Sequence, residues 1–250
     1  TYAGAPLSTV IYISGALKAM AFAVGIRVFY LGLPNVSWYW SGLFAVLSVI
    51  TMTVGNLVAL VQRTMRRLLA WSSIAHAGYI ILIFSVAVLP SKVLFIGGLL
   101  HIFMHAFMKA LAFSATSVIE TYYGSDSLEK FIGLRKANGF LSFALGVDML
   151  SLAGMPFFGG FFSKLFLFWG VVMSGGAILA LIAVINSAIS LYYYAMVIKR
   201  MYVDQPLEET KQKIEIPATL QPIIVFSLIV VLIPIYIPAM YSFLNLLALP

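Results

Sequence analysis

The stretch LLHIFMHAFMKALAF, residues 99–113, decides how the rest of the chain is read. It lies inside an apolar run from about Lys92 to Ile119 and carries His101, His105 and Lys109. On an α-helix these positions, i, i+4 and i+8, drift by only about 40° per step. All three therefore share one face and climb roughly 12 Å along the axis. Ionisable groups at such depth are costly unless they meet a polar cavity or one another. A ladder of titratable groups in that setting is what a proton path needs.

Composition supports a bilayer as the solvent. Of 250 residues, 62% are hydrophobic and 9% charged, against about 25% charged in a soluble domain. Mean hydropathy is +1.05. The chain is read as an all-α, multi-pass integral membrane protein. It has no cysteine, which excludes disulfides, thiol catalysis and iron–sulfur ligation by this chain. The net charge of +7 comes from clustered loop residues and does not indicate a nucleic-acid partner. The chain opens TYAGAP, with no Met and no charged stretch before its first apolar run. It reads as a piece beginning within a longer protein, with no signal peptide.

Seven apolar runs are expected to cross the bilayer. The first follows Pro6, a residue suited to a first helical turn, and is taken as a flanking helix over 7–31. A bundle over 38–201 follows, with runs near 38–61, 68–89, 92–119, 138–173 and 177–198. A terminal helix over 218–237 ends it, and the apolar tail after Pro238 is read as lying along the interface. The run 138–173 is too long for one straight span of about 20 residues. It contains AGMPFFGG, with Gly154, Pro156, Gly159 and Gly160. It is read as one discontinuous helix, a break tolerated only where protein or a cavity surrounds it.

Loop charge sets the orientation. Segments 62–67, 120–136 and 199–217 hold ten of the fifteen Lys and Arg residues; only Arg27 and Lys92 lie toward the other side. By the positive-inside rule the first set is cytoplasmic, in what is expected to be a prokaryotic plasma membrane. The three remaining cations, Lys18, Lys109 and Lys164, lie within spans, as does one acid, Asp148.

Each has a bland reading to set beside the functional one. Lysines near helix ends snorkel, but Lys18 lies roughly 18 Å from either end of its run, beyond a lysine's reach. Lys164 follows the break, where half-helix ends and water are expected; a structural role, bonded to the backbone or to Asp148, is the alternative. His101 and His105 have metal-ligand spacing, but Lys109 on the same face repels a cation, so no metal is assigned. His76 is read as a hydrogen-bonded packing residue, and the runs FFGGFF and LYYYA as packing and interface aromatics. Asp148 is expected either to pair with a basic group of another helix, Lys109 being one, or to face water from its helix start. Burial disfavours the charged form of an amine, and histidine titrates near neutrality. Lysines and histidines near the midplane thus read as a proton or cation path.

Several motifs resemble one family. RRLLAWSSIAHAGY at 66–79, HAFMKAL at 105–111 and LSLAGMPFFGGFFSK at 150–164 are similar to motifs of the antiporter-like membrane subunits of respiratory complex I, shared with Mrp antiporters and membrane-bound hydrogenases. LYYYAMVIKRMYV at 191–203 most resembles the N type of subunit. The resemblance implies a fourteen-helix fold of two inverted repeats, with this chain supplying the eighth to the fourteenth helices. It also implies proton translocation through Lys18, His101, His105, Lys109 and Lys164; Asp148 has no counterpart in the pattern. The complete His-x3-His-x3-Lys spacing is more typical of the L and Mrp types, which leaves the subunit type open. No cofactor is expected on this chain. Quinone, flavin and Fe–S clusters are expected in partner membrane and redox subunits of a complex I-like assembly. The alternatives are a subunit of an Mrp-type Na+/H+ antiporter or of a membrane-bound hydrogenase, and a structural membrane scaffold.

Overall fold

The computed structural model describes residues 4–86, 90–205, 213–232 and 242. Its described residues form helices and connecting segments, with one isolated bridge between Thr64 and Ser127. Among the described residues five helices are long and apolar enough to cross a membrane. They are α1 (Ser8–Gly32), α2 (Ser37–Leu60), α3 (Met65–Ser85), α4 (Lys92–Tyr123) and, after the broken pair, α7 (Ala177–Tyr202). The broken pair is α5 (Gly139–Ala153) and α6 (Gly159–Met173), and α8 (Gln221–Leu232) follows α7. The expected ends of the third run at Leu89 and of the last at Ile237 lie outside the described residues, as do Lys211 and most of the tail after Pro238.

Two boundaries differ from the sequence reading. Residues 120–136 are not simply a loop. The fourth helix runs on to Tyr123, closes at Gly124 in the left-handed region (φ +66°), and is followed by turns at Leu128–Phe131 and Leu134–Ala137. The first helix is not regular: π-helical turns occupy Ile13–Leu17 and Val28–Gly32, and Lys18 directly follows the first. Such turns re-aim side chains and are frequent at functional sites.

Small residues set the helix contacts, as expected where lipid removes the hydrophobic drive between helices. A Cβ at Gly55 of α2 would lie 2.6 Å from the Ala75 nitrogen, and one at Gly78 of α3 2.5 Å from the Met52 nitrogen. These approaches fix α3 in register against α2. Gly97 and Gly170 play the same part between α4 and α6, where added Cβ atoms would fall 2.2 Å from the Leu167 nitrogen and 2.3 Å from the Leu94 Cα. They bring Ser163 of α6 opposite His101 of α4.

The charged loops interlock on one side. Met65 N–H donates to Asp126 O (2.8 Å), Leu128 N–H to Arg63 O (3.0 Å), Gly133 N–H to Arg200 O (3.0 Å) and Ile214 N–H to Ala137 O (3.1 Å). Arg66 adds side-chain bonds, its Nε donating to Glu120 Oε2 at 2.8 Å. At the opposite end Ser91 caps α4 and its hydroxyl donates to Gly170 O at 3.0 Å.

At the break, Gly154 adopts φ +84° and its N–H donates to Leu150 O (3.1 Å) and Ser151 O (2.9 Å), closing α5. Pro156 has no N–H to extend the ladder. Phe157 holds φ +79°, a strained value for a side-chain-bearing residue. The helix restarts at Gly159. Gly160 N–H donates to Ser151 Oγ at 3.0 Å, and a Cβ at Gly160 would lie 2.0 Å from Ser151 O. The two half-helices thus cross at a point that admits no side chain.

Candidate functional site

His101, His105 and Lys109 are fully or almost fully buried, and two of the three bond across to α3. His101 Nε2 lies 3.1 Å from Nδ1 of His76, and the two rings stack 10° from parallel. His101 Nδ1 lies 2.9 Å from Ser163 Oγ, which donates to Gly160 O at 2.9 Å. Lys109 donates to Leu69 O at 3.1 Å and to Ser72 Oγ. The Ser72 hydroxyl is 2.8 Å from that of Tyr194 on α7, and Tyr194 Oη is 3.5 Å from His76 Nε2.

These contacts form one run: Lys109, Ser72, Tyr194, His76, His101, Ser163. Only Gly160 O at its end is a pure acceptor, so one proton arrangement satisfies every link. Ser163 donates to Gly160, His101 Nδ1–H to Ser163, and His76 Nδ1–H to His101 Nε2. Tyr194 O–H is directed at Ser72 in the structure; turned to donate to His76 Nε2, it accepts in its place from Ser72 O–H, and Lys109 donates to Ser72. The ring tautomers are assigned from this network. At 3.5 Å the Tyr194–His76 link is the longest and the weakest by geometry.

The hydrogen-bonded run therefore does not follow the ladder along α4. His105 stands within the ladder, but its Nε2 is buried without a hydrogen-bond partner, its ring 5.0 Å from that of His76. Residues four apart on one helix stand about 5–6 Å apart at Cβ with parallel side chains; the facing helix fills the gaps. Sequence reasoning left Ser72, Tyr194, Ser163 and above all His76 out of the site. The available signal was the i, i+4 spacing of Ser72 and His76 in SSIAHAGY, which puts both on one face of α3. Within LYYYA, Tyr192 is exposed, whereas Tyr193 and Tyr194 are fully buried and also carry bonded hydroxyls.

Lys18 is half-buried on α1 and donates to Ser73 O and Ser73 Oγ, both at 2.7 Å. The adjacent serines of α3 thus hold lysines from two other helices, Ser72 taking Lys109 and Ser73 taking Lys18. Lys164 is buried and commits three donors: Leu152 O (2.8 Å), Ala153 O (3.2 Å) and Ser187 Oγ (3.0 Å). The carbonyls are those that the break frees at the end of α5, where the helix dipole favours a cation. The ammonium also lies 5.3 Å from the Tyr79 ring centroid. A cavity of about 310 Å³ lined by Gly154, Met155, Lys164, Ser187 and Leu191, among others, opens beside it. Lys164 is within electrostatic range of His101 and His76.

Asp148 is fully buried, and neither carboxylate oxygen has a hydrogen-bond partner. It does not pair with Lys164; the charge within its range is Lys109. A second polar cluster holds α2, α3 and α7 together. Asn56 Nδ2 donates to Tyr79 Oη (3.0 Å) and Asn186 O (3.1 Å), and Tyr193 donates to Asn56 Oδ1 (3.0 Å). Among the described residues no group of three or more His, Cys, Asp or Glu is arranged to hold a metal ion.

Residues 1–190 match the family model described as NADH:quinone oxidoreductase/Mrp antiporter, TM. The chain belongs to this family. Among curated members it is 38% identical over 235 residues to NADH-quinone oxidoreductase subunit N of Moorella thermoacetica, covering 93% of this chain and 48% of that protein. It is 38% identical over 226 residues to F(420)H(2) dehydrogenase subunit N of Methanosarcina mazei, covering 87% and 45%. Among solved structures, a chain of respiratory complex I from Thermus thermophilus with bound aureothin superposes with a TM-score of 0.75 at 30% identity, over 96% of this chain and 52% of that one. The chain thus spans about half the length of these relatives. It is, like the family, an integral membrane protein.

Proposed function

We propose that this chain conducts protons as part of an antiporter-like, N-type membrane subunit of a complex I-like assembly. The observation that carries the reading is the continuous buried run from Lys109 to Ser163, which joins four helices and ends one residue from Lys164. In the proposed step the Lys109 ammonium gives a proton to Ser72, whose own proton passes to Tyr194. The Tyr194 proton passes to His76 Nε2, His76 releases Nδ1–H to His101 Nε2, and His101 releases Nδ1–H to Ser163. The Ser163 hydroxyl then turns from Gly160 O and hands its own proton to Lys164 as the neutral amine, the terminal holder beside its cavity. Resetting requires both rings to return to their starting tautomers. Lys18, bonded to the neighbouring serine, is the group from which Lys109 is reloaded.

Electron transfer to quinone, with flavin and Fe–S clusters, belongs in this reading to other subunits, and the charged loops face the cytoplasm. The names of the relatives, one an NADH and one an F(420)H(2) enzyme, support such an assembly while differing in donor. The alternatives remain an Mrp-type Na+/H+ antiporter subunit and a hydrogenase antiporter-like subunit.

The test replaces Lys109 or Lys18 by alanine in the full-length protein within its native complex, reconstituted in vesicles. Each substitution is expected to lower proton translocation per electron by on the order of 100-fold at this site, the scale of a positioned proton donor, with assembly retained. Translocation that persists undiminished in an assembled Lys109→Ala complex would overturn the reading.

A further inference from the structure

Asp148 is the one buried carboxyl group among the described residues, and the run from Lys109 to Ser163 does not use it. Its position follows from a neighbouring contact: Ser151 Oγ lies 3.1 Å from Met108 Sδ, which levels α5 with α4 at that point. The helices are antiparallel. Toward the charged loops, Asp148 lies about 4.5 Å beyond Ser151 and Lys109 about 1.5 Å beyond Met108. Their Cα atoms are therefore level to within about 3 Å. Asp148 is also three residues from Ser151, within about 60° of the side that meets α4.

The hydrogen-bond inventory of the two groups is complementary. An ammonium has three N–H donors; Lys109 directs two at α3, to Leu69 O and Ser72 Oγ, leaving one. Asp148 has two buried oxygens with no donor. Among the described residues, Lys109 on α4 and Tyr194 on α7 are titratable groups within electrostatic range of it. The described part of α8, packed against α5, carries no titratable residue. An isolated ionised carboxylate at this depth is expensive, and so is an isolated ammonium.

We propose that Asp148 is the proton-exchange partner of Lys109, the pair alternating between carboxylate with ammonium and neutral acid with amine. In the exchange the carboxyl O–H breaks, the third amine N–H forms, and the electron pair left on oxygen becomes the carboxylate charge. Both states carry no net charge. When Lys109 sends a proton into Ser72, it leaves the carboxylate without a counter-charge. That favours taking up the next proton at the pair, so delivery into the chain drives reloading. The inference rests on the proton-conducting reading above and adds to it a carboxylate that the family resemblance does not supply.

Asp148→Asn in the native complex is expected to lower translocation by on the order of tenfold or more, while Asp148→Glu, which keeps the acid, recovers a substantial part. If Lys109→Ala abolishes translocation and an assembled Asp148→Asn complex pumps as wild type, the exchange is wrong and the conducting reading stands. If neither substitution matters, both fall. A second measurement needs no change at Asp148. In Lys109→Met protein the stranded carboxylate must become a neutral acid. Infrared spectra should then gain a protonated-carboxyl band that moves when aspartate is labelled with 13C. No such band would overturn the proposal.

Discussion

Lys109 and Lys164 are both buried amines among apolar helices, yet they are held in opposite ways. Lys109 sits on an unbroken helix and donates across it to the Ser72 hydroxyl. Lys164 sits just past a break and gives two of its three bonds to freed backbone carbonyls. A hydroxyl that accepts a proton passes its own onward, whereas an amide carbonyl has none to pass. In the proposed reading Lys109 therefore opens onto a relay. Lys164 opens onto two dead ends, one hydroxyl and a cavity. An unbroken helix supplies side chains that a facing helix continues; a broken one supplies the dipole end that holds a cation in place.

The largest effect that would break this contrast is expected at His76. His76→Leu removes both ring nitrogens from the relay, severing the links to Tyr194 and His101, while every bond of Lys164 remains. Proton translocation in the assembled complex should fall by on the order of 100-fold. If instead it tracks wild type, protons do not pass through α3, and the ladder along α4, with His105, regains the role.

A smaller effect is expected at the other lysine. Gly154→Ala places a side chain at φ +84°, with its Cβ 3.0 Å from Lys164 Cδ. Such strain costs about 1–3 kcal/mol, and the Lys164 amine is pushed from the Leu152 and Ala153 carbonyls. Thermal stability and translocation should fall together, the latter less than in His76→Leu. A variant as stable and as active as wild type would mean that the break does not position Lys164.

The same contrast explains what could be read in advance. The spans follow from apolar run length, and the break from Pro156 among glycines, because both are local properties of one segment. The depth of Lys18 and Lys109 was legible for the same reason. What one helix meets on another is not written in its own periodicity. His76 looked like packing because nothing in SSIAHAGY announces that His101 stands 3.1 Å away. The packing and interface aromatics of LYYYA divide into exposed Tyr192 and buried Tyr193 and Tyr194, because consecutive residues on a helix point about 100° apart, but which hydroxyls they meet is not written in the run. The ladder at 101, 105 and 109 marked the face that meets α3 but not the hydrogen bonds that His101 and Lys109 make there.

The smallest effect on transport, and the sharpest control, lies in the Asn56 cluster. It resembles the relay in being buried, polar and spread over several helices, but its chemistry differs. An amide side chain has no readily exchanged proton to send on, so Asn56 can hold Tyr79, Tyr193 and Asn186 together without conducting. Hydrogen bonds between membrane helices are worth about 0.6 kcal/mol each on average. Asn56→Ala should therefore cost about 1–2 kcal/mol by summing its bonds, read as a lower denaturation midpoint of the full-length protein. It leaves Lys109, Ser72, Tyr194, His76 and His101 in contact, so translocation per electron at permissive temperature should match wild type. A loss of pumping as deep as that of His76→Leu, at unchanged assembly, would show that protons use the Asn56 cluster too. Burial and bonding, rather than the presence of exchangeable protons, would then be all that distinguishes conducting polar residues from holding ones in this fold.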